Sequence, residues 1–419
     1  MNQTKIIIDL MTKMKPVITK IIPIEFLRKR KQNYMKRYTA RLKNEKIEPY
    51  APEKYDRGIN LIGNIRLDSG LGQSCRLVAH ELEDSTIPFL VYEHHVSDLF
   101  SMKDTTCDYL IQDELKYGVN LLHINAQEFA IAYMQLGRRV WDYHYNIAFW
   151  LWELEDFPEE WLGCIEVLDE IWTPAEFVSA AIRKRTNKPV ITIPYHVEAP
   201  IDEKYDRKYF GLPEECFLFL MMYDSGSMTE RKNPLGVLKA FKQAFSKDDK
   251  HVGLVIKLNG KNSQDIETIK SYLDGYTNVY FMTETLSKIE VNSLIADMDV
   301  LVSMHRAEGF GLVMAEAMLN GVPCIATNWS ANTEFMNKDV ACMLDYKFIE
   351  LDHEIGPYKK GSRWAEPSVE QAAMYMRKLF EDEKFYQKLS VSAEAYVKER
   401  LGKERIACLM ENRLREIGI

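Results

Sequence analysis

Residues 305–334 read HRAEGFGLVMAEAMLNGVPCIATNWSANTE. Seven residues separate Glu308 from Glu316, and Gly309, Phe310 and Gly311 directly follow the first glutamate. The glycines predict a flexible loop that leads into a helix over Leu312–Asn320. Gly321 stops that helix, and Val322–Thr327 reads as a short buried strand. A loop and helix N-terminus facing a cleft offer backbone N–H groups and a positive dipole end to an anion. The carboxylates are then left for hydroxyls. Two glutamates at a fixed spacing often occur by chance, and the plainer reading is a solvated loop with an ordinary helix.

Strands and helices alternate on both sides of this stretch. Predicted strands around it are Cys216–Tyr223, Val252–Lys257, Val279–Met282, Val300–Ser303 and Pro323–Thr327. The helices between them are Pro234–Phe245, Ser263–Leu273 and Ser287–Ala296. An earlier set of strands is predicted at Ile59–Ile65, Pro88–Glu93, Val119–Asn125, Asn146–Trp152, Glu170–Thr173 and Val190–Pro194. A helix runs from the loop Arg66–Gly72 to about Glu83. This alternation argues for parallel sheets with helices on both faces, hence an α/β chain of two doubly wound, Rossmann-like domains. Such domains take ligands in the crevice beyond the carboxyl ends of their strands. Residues 47–57, with Pro49 and Pro52, read as a linker, and 198–214 as an inter-domain connection. Residues 345–365 read as a long irregular insert and 368–417 as helices.

The chain has 419 residues, enough for two domains, and 46% are apolar. A net charge of −8 gives no general reason to expect nucleic acid as a partner. The seven cysteines are scattered, without CxxC or metal-ligand spacing, which predicts free thiols in a reducing compartment. Cys216 and Cys324 lie in apolar runs and are expected in the core. No run of 18 apolar residues predicts a transmembrane helix, and lysines interrupt the only signal-like region.

Charge is uneven: residues 1–46 carry +10, against −18 for the remainder. Ile7, Leu10, Met11, Met14, Val17, Ile18, Ile21 and Ile22 share one helical face, opposite Lys5, Lys13 and Lys20. Arg28, Lys29, Arg30 and Lys31 follow, then Lys36, Arg37, Arg41 and Lys43 interleaved with Tyr34 and Tyr38. The pattern reads as an amphipathic basic arm on an anionic membrane surface, kinked or broken at Pro16 and Pro23. The plainer alternatives are a helix packed on the protein's own surface or an arm that binds another partner. The expected location is cytoplasmic, peripheral on the inner face of the plasma membrane.

The full string resembles the donor-site signature of retaining glycosyltransferases of family 4, which have the GT-B fold. Its parts are the acidic residue, Gly-Phe-Gly, the helix with a second Glu, the Gly-x-Pro-x-Ile-Ala strand and a further Glu. The resemblance covers roughly residues 58–400 and is strongest at 225–235 and 299–334. It implies an arm and linker over 1–56, an acceptor-side domain over 57–200 and a nucleotide-sugar domain over 201–385. Helices over 386–419 are expected to pack back on the first domain. The implied reaction is metal-independent, retaining transfer of a hexose or deoxyhexose from a nucleotide diphosphate sugar to a glycan. With the basic arm, that acceptor is expected to be lipid-linked, as in surface polysaccharide or cell-wall glycan assembly. No bound cofactor is expected. The rivals are a nucleotide-sugar epimerase of the same architecture and a non-catalytic partner subunit.

Site residues follow from the motifs and the resemblance together. Gly70 and Gly72, after the first strand, match the glycine-rich loop that lines the cleft, although a lone Gly-x-Gly also makes an ordinary tight turn. In Met221–Pro234, Lys232 matches the downstream member of a cation pair that neutralises the diphosphate. The usual upstream arginine is absent, with Gly226 or Ser227 near its place. Lys257 is the first substitute and Arg231 the second. Glu308 is expected to orient the donor sugar and Glu316 to hold the ribose hydroxyls. Gly309, Phe310, Gly311 and Leu312 shape the donor loop. His305 and Arg306 either contact phosphate or sugar, or hold that loop. Glu153 is placed to receive the acceptor hydroxyl. Trp150 or Trp152 can stack on a sugar, although a Trp-rich strand is more often core. His94, His95 and His123 read as polar lining, and His196 marks a hinge.

Asp297-Met-Asp299 imitates a metal-binding Asp-x-Asp, but lies between a helix and a buried strand, where it caps a turn. No nucleophile elbow or phosphate loop ending in Gly-Lys-Ser/Thr is present.

Overall fold

The computed structural model of the protein describes residues 24–95, 102–260 and 263–418. The apolar face expected over Ile7–Ile22 lies outside these residues. The chain divides into two compact units, one running to Tyr195 and resuming at Ile406, the other spanning His196–Arg405.

The first unit is built on six strands: β1 (Asp56–Gly63), β2 (Phe89–Glu93), β3 (Tyr117–His123), β4 (Tyr145–Phe149), β5 (Glu170–Thr173) and β6 (Val190–Thr192). They pair in the order β2-β1-β3-β4-β5-β6, every pair parallel. Helices on both faces bury these strands, so they read as continuous apolar runs instead of alternating ones. Three buried amides bridge the middle of the sheet. Asn60 donates to Asn120 at 2.9 Å, and Asn120 donates to Asn146 at 2.9 Å. The helix Gly70–Glu83 starts at Ser69, whose hydroxyl accepts from the Gly72 amide.

The second unit repeats the plan with β7 (Phe217–Asp224), β8 (Val252–Asn259), β9 (Val279–Met282), β10 (Val300–Ser303), β11 (Cys324–Thr327) and β12 (Cys342–Leu344). Its order is β12-β11-β10-β7-β8-β9, again all parallel. The order reverses between β7 and β10, and ligands of open α/β sheets bind at such a switch point. β12 is an additional strand that the sequence reading did not contain.

Residues 345–365 are not irregular. β13 (Tyr346–Glu350) and β14 (Arg363–Pro367) form an antiparallel hairpin. Most of β13 faces solvent, so it lacks the apolar alternation that identifies a strand in sequence. Trp329 packs against Tyr346 and Phe348, with ring centroids 5.4 and 4.8 Å apart.

The C-terminal helices are shared between the units. Glu383–Arg400 belongs to the second, and most of Lys403–Glu416 to the first. Within the first unit, Arg413 pairs through both arms with the fully buried carboxylate of Glu170. Trp172 and Tyr145 also donate to that carboxylate, at 2.6 and 3.0 Å. The helix Ile24–Leu42 buries Thr39 and Leu42 and leaves Arg30, Lys36, Arg37 and Arg41 exposed.

Candidate active site

Two loops meet at the switch point of the second sheet. One leaves β7 at Asp224, passes the short turn Ser225–Ser227 and winds through Thr229–Lys232 into the helix Pro234–Ala244. The other leaves β10 and enters the helix Leu312–Leu319 through Gly311, whose φ of +103° lies in glycine's range. Lys232 from the first loop forms an ion pair with Glu308 from the second. Arg231 lies 3.3 Å from the other Glu308 oxygen and donates to the Ala307 carbonyl at 2.6 Å. Arg231 is buried and Glu308 is 8% exposed, so little solvent screens this cluster.

Burial opposes ionisation of Glu308, but the charges of Lys232 and Arg231 prevail and hold its carboxyl at about 2. The carboxylate is therefore ionised at neutral pH, able to accept hydroxyl protons in hydrogen bonds and unable to act as an acid. Its backbone is anchored as well: the Glu308 amide donates to Ser330 Oγ at 2.8 Å.

Four non-glycine residues in the described chain have positive φ, and Met228, Asn233 and Ser330 are three of them. All three lie next to this cluster. Such conformations cost about 1–3 kcal/mol each and persist where surrounding contacts over-determine them. Asn233 shows how: its side chain donates to the Met304 carbonyl at 3.0 Å and accepts from the Gly236 amide at 3.2 Å. This ties the two loops together beneath the ion pair.

Both ring nitrogens of His305 have partners within the second unit. It is fully buried, its Nδ1 is 2.9 Å from Ser303 Oγ and its Nε2 is 3.1 Å from Asn332 Oδ1. Burial lowers it to about 4, so it is neutral. Arg306 pairs with Glu366 of β14 and donates to the Glu230 carbonyl at 2.5 Å, which ties the hairpin to the loop. Phe310 is 4% exposed and packs on Phe335, with centroids 5.3 Å apart. Gly309 is buried, and Leu312 opens the helix half-buried.

Glu316 stands apart from this cluster. Its buried carboxylate pairs with Lys288 at 2.5 Å, on the helix Lys288–Ala296. Lys257 is also separate. It is fully buried on β8 and donates to Asn259 Oδ1 at 2.5 Å. Burial lowers its ammonium, against the charges of Glu284 and Asp224. Among the described residues no ion pair joins it to Glu308; the second cation beside that carboxylate is Arg231.

In the first unit, Gly70 and Gly72 have different roles. A Cβ on Gly72 would lie 2.0 Å from the Leu67 carbonyl oxygen, whereas one on Gly70 would meet nothing within 4 Å. Gly72 thus serves the turn itself, and Gly70 leaves open space. The stacking role expected for Trp150 or Trp152 is not available. Both are buried, and their indole N–H groups donate to the carbonyls of Ile124 and Asp156 at 3.0 and 2.9 Å. Glu153 follows these indoles, half-buried beyond the end of β4.

Asp299 Oδ2 accepts from the Leu218 amide at 2.6 Å and from Arg207 at 2.8 Å, which ties β7 and the 207 loop to the start of β10. All seven cysteines are free. Cys324 is in the core, but Cys216 is only half-buried and points its thiol at the Lys250 carbonyl. Among the described residues no His, Cys, Asp and Glu group is arranged to hold a metal.

Sequence reasoning missed Ser330, Asn332, Asn233 and Lys288. Ser330 and Asn332 lie inside the quoted stretch, but their polar types alone do not distinguish loop-holding residues from solvated ones.

Residues 203–396 match the family model for Glycosyl transferases group 1. No curated protein matches the chain. Similar solved structures include Anabaena HepE in complex with UDP and glucose, at 13% identity and a TM-score of 0.61, covering 86% of this chain and 100% of that one. Sucrose-phosphate synthase from Thermosynechococcus elongatus is similar at 14% identity and a TM-score of 0.63, covering 86% and 99%. A glycosyltransferase from Rickettsia africae ESF-5 is similar at 14% identity and a TM-score of 0.62, covering 87% and 99%. The fold is GT-B, with its two Rossmann-like units. Among the described residues no helix is long and apolar enough to cross a membrane.

Proposed function

We propose that this protein is a retaining, metal-independent glycosyltransferase that moves a sugar from a nucleotide diphosphate sugar to a glycan hydroxyl. The observation that carries this reading is the ionised Glu308, clasped by Lys232 and Arg231 at the switch point of the unit that matches the group 1 glycosyltransferases. Transfer breaks the bond between the sugar's anomeric carbon and the diphosphate, and charge develops on the departing oxygens. Preorganised cations in a buried setting stabilise that charge far better than water-exposed ones. Lys232 and Arg231 take this role, while Glu308 accepts hydroxyls of the donor sugar. Glu316 serves the ribose hydroxyls once Lys288 yields. The acceptor oxygen bonds to the anomeric carbon on the face the diphosphate leaves and gives its proton to the departing phosphate oxygen, so configuration is retained without a protein nucleophile. Glu153 orients that acceptor.

A thermal-shift panel of UDP, GDP and dTDP with their sugar conjugates tests the donor half, because a ligand that binds only the native state raises its stability. One clear responder names the base, and a flat panel removes the reading. Isomerised nucleotide sugar formed without any acceptor would turn the assignment to an epimerase.

The acceptor half of the proposal is a lipid-linked glycan reached from a cytoplasmic membrane surface, in surface polysaccharide or cell-wall glycan assembly. The exposed Arg30, Lys36, Arg37 and Arg41, with Tyr34 55% exposed beside them, favour anionic lipid. Deleting the whole helix would also uncover the surface that buries Leu42. The cleaner variant is therefore Lys36→Gln with Arg37→Gln and Arg41→Gln. It is expected to lose sedimentation with phosphatidylglycerol vesicles, and unchanged sedimentation would remove the membrane element.

A further inference from the structure

The short turn Thr229–Lys232 carries both cations of the cluster, and so short a helical piece does not hold its shape unaided. Its anchor is Met228, whose carbonyl accepts from the Arg231 amide at 3.0 Å and from the Lys232 amide at 3.2 Å. Met228 has a φ of +63°, a conformation that its surroundings must enforce. Its side chain shows one such contact. A Cβ on Gly356 would lie 2.9 Å from both Sδ and Cε of Met228, closer than a Cβ packs, so the bare glycine is what lets the thioether lie there.

Gly356, at φ +56°, belongs to the loop that joins β13 to β14. It sits at the tip of a tight turn closed by two 2.9 Å backbone bonds between Ile355 and Tyr358. Tyr358 is buried and meets Trp364 of β14 edge-on, with centroids 5.5 Å apart. The Arg306 guanidinium lies 5.9 Å from the Trp364 ring and pairs with Glu366 of the same strand. Arg306 then leads back to the cation turn. Its amide donates to the Arg231 carbonyl at 2.8 Å and its guanidinium to the Glu230 carbonyl at 2.5 Å. These contacts close a ring that leaves the turn at Met228, crosses the hairpin and returns at Arg231.

We propose that the β13–β14 hairpin is a strap that positions the cation turn through Met228, so that Lys232 and Arg231 meet a diphosphate in fixed geometry. Met228 and Gly356 are positioning residues that act through the two cations. A displacement of about 1 Å in a charge-stabilising group is enough to remove much of its effect. The strap rests on the glycosyltransferase reading, which makes a diphosphate the ligand of this turn.

The test is calorimetric binding to the full chain of UDP against UMP and of GDP against GMP. The ratio of affinities within a pair isolates the second phosphate from the base and the ribose. In the wild type at least one diphosphate is expected to bind about tenfold tighter than its monophosphate, the size of one charge-assisted hydrogen bond. Lys232→Ala should abolish that advantage. Met228→Gly needs no strained φ but releases the strap, and it is expected to cut the ratio about fivefold. Gly356→Val pushes a side chain onto Met228 from the hairpin and should cut it similarly. Met228→Leu keeps an apolar side chain against Gly356 and should stay within about twofold of the wild type. A contact that only packs would lower the melting temperature of Met228→Gly and leave the ratio unchanged. That result, with the advantage still lost in Lys232→Ala, overturns the strap and leaves the donor reading standing. No advantage for either diphosphate in the wild type, or one untouched by Lys232→Ala, overturns the cation role itself and the strap with it.

Discussion

Lys232 and Glu308 are 76 positions apart in the chain and form an ion pair at the point where the second sheet reverses its strand order. Each residue is held by its own loop, and Asn233 and Ser330 pin those loops in backbone conformations that few side chains adopt unaided. The pair is thus preorganised before any ligand arrives.

Removal of either partner is expected to slow turnover sharply while the fold survives. Glu308→Ala and Lys232→Ala should each lower kcat by about 10²–10³, the range for loss of one preorganised charge-stabilising group. Arg231 still neutralises Glu308 in Lys232→Ala, so the stability cost there should be only about 1–3 kcal/mol. Steady-state rates beside urea denaturation check both halves. Wild-type rates in both variants would refute the assignment.

Acid should destabilise the protein in two windows. His123 and His305 are buried and lowered to about 4, from an ordinary 6.5. The unfolded chain then binds more protons than the folded one between those values. The stability held by these neutral rings is complete above 6.5 and is lost as pH falls toward 4, to the order of 3 kcal/mol per ring. Glu308, lowered from 4.5 to about 2, contributes stability that is complete above 4.5 and lost as pH falls toward 2. NMR titration of the imidazole Cε1–H signals checks the first window. A midpoint near 6.5 for either ring would contradict it.

Arg413→Ala should destabilise the first unit by about 3–5 kcal/mol, because it strands the fully buried charge of Glu170. Arg413→Lys should recover part of that loss, since an ammonium cannot match both carboxylate oxygens as the guanidinium fork does. Urea denaturation of the two variants gives the comparison, and equal stability of Arg413→Ala and wild type would show the clasp to be ornamental.

The two glycines of the first loop should separate cleanly. Gly72→Ala forces its Cβ onto the Leu67 carbonyl oxygen and is expected to cost at least about 1–3 kcal/mol. Gly70→Ala meets open space and has no positive φ, so it should be neutral or stabilising by up to about 1 kcal/mol. Melting temperatures rank them directly.

The sequence alone determined the features that rest on local pattern. Apolar runs separated by helical periods defined most of both parallel sheets, and residues 305–334 marked the loop, helix and strand that carry Glu308 and Glu316. Those signals are local because strand and helix periods extend over only a few residues. The tertiary structure decided which side chains meet. It joined Lys232 to Glu308, enclosed Lys257 within the sheet, turned the indoles of Trp150 and Trp152 inward and tied Arg306 to a hairpin whose exposed strand has no apolar alternation. Each of these depends on strand register and on contacts between segments far apart in the chain. Residue type and spacing encode neither until the sheets have formed.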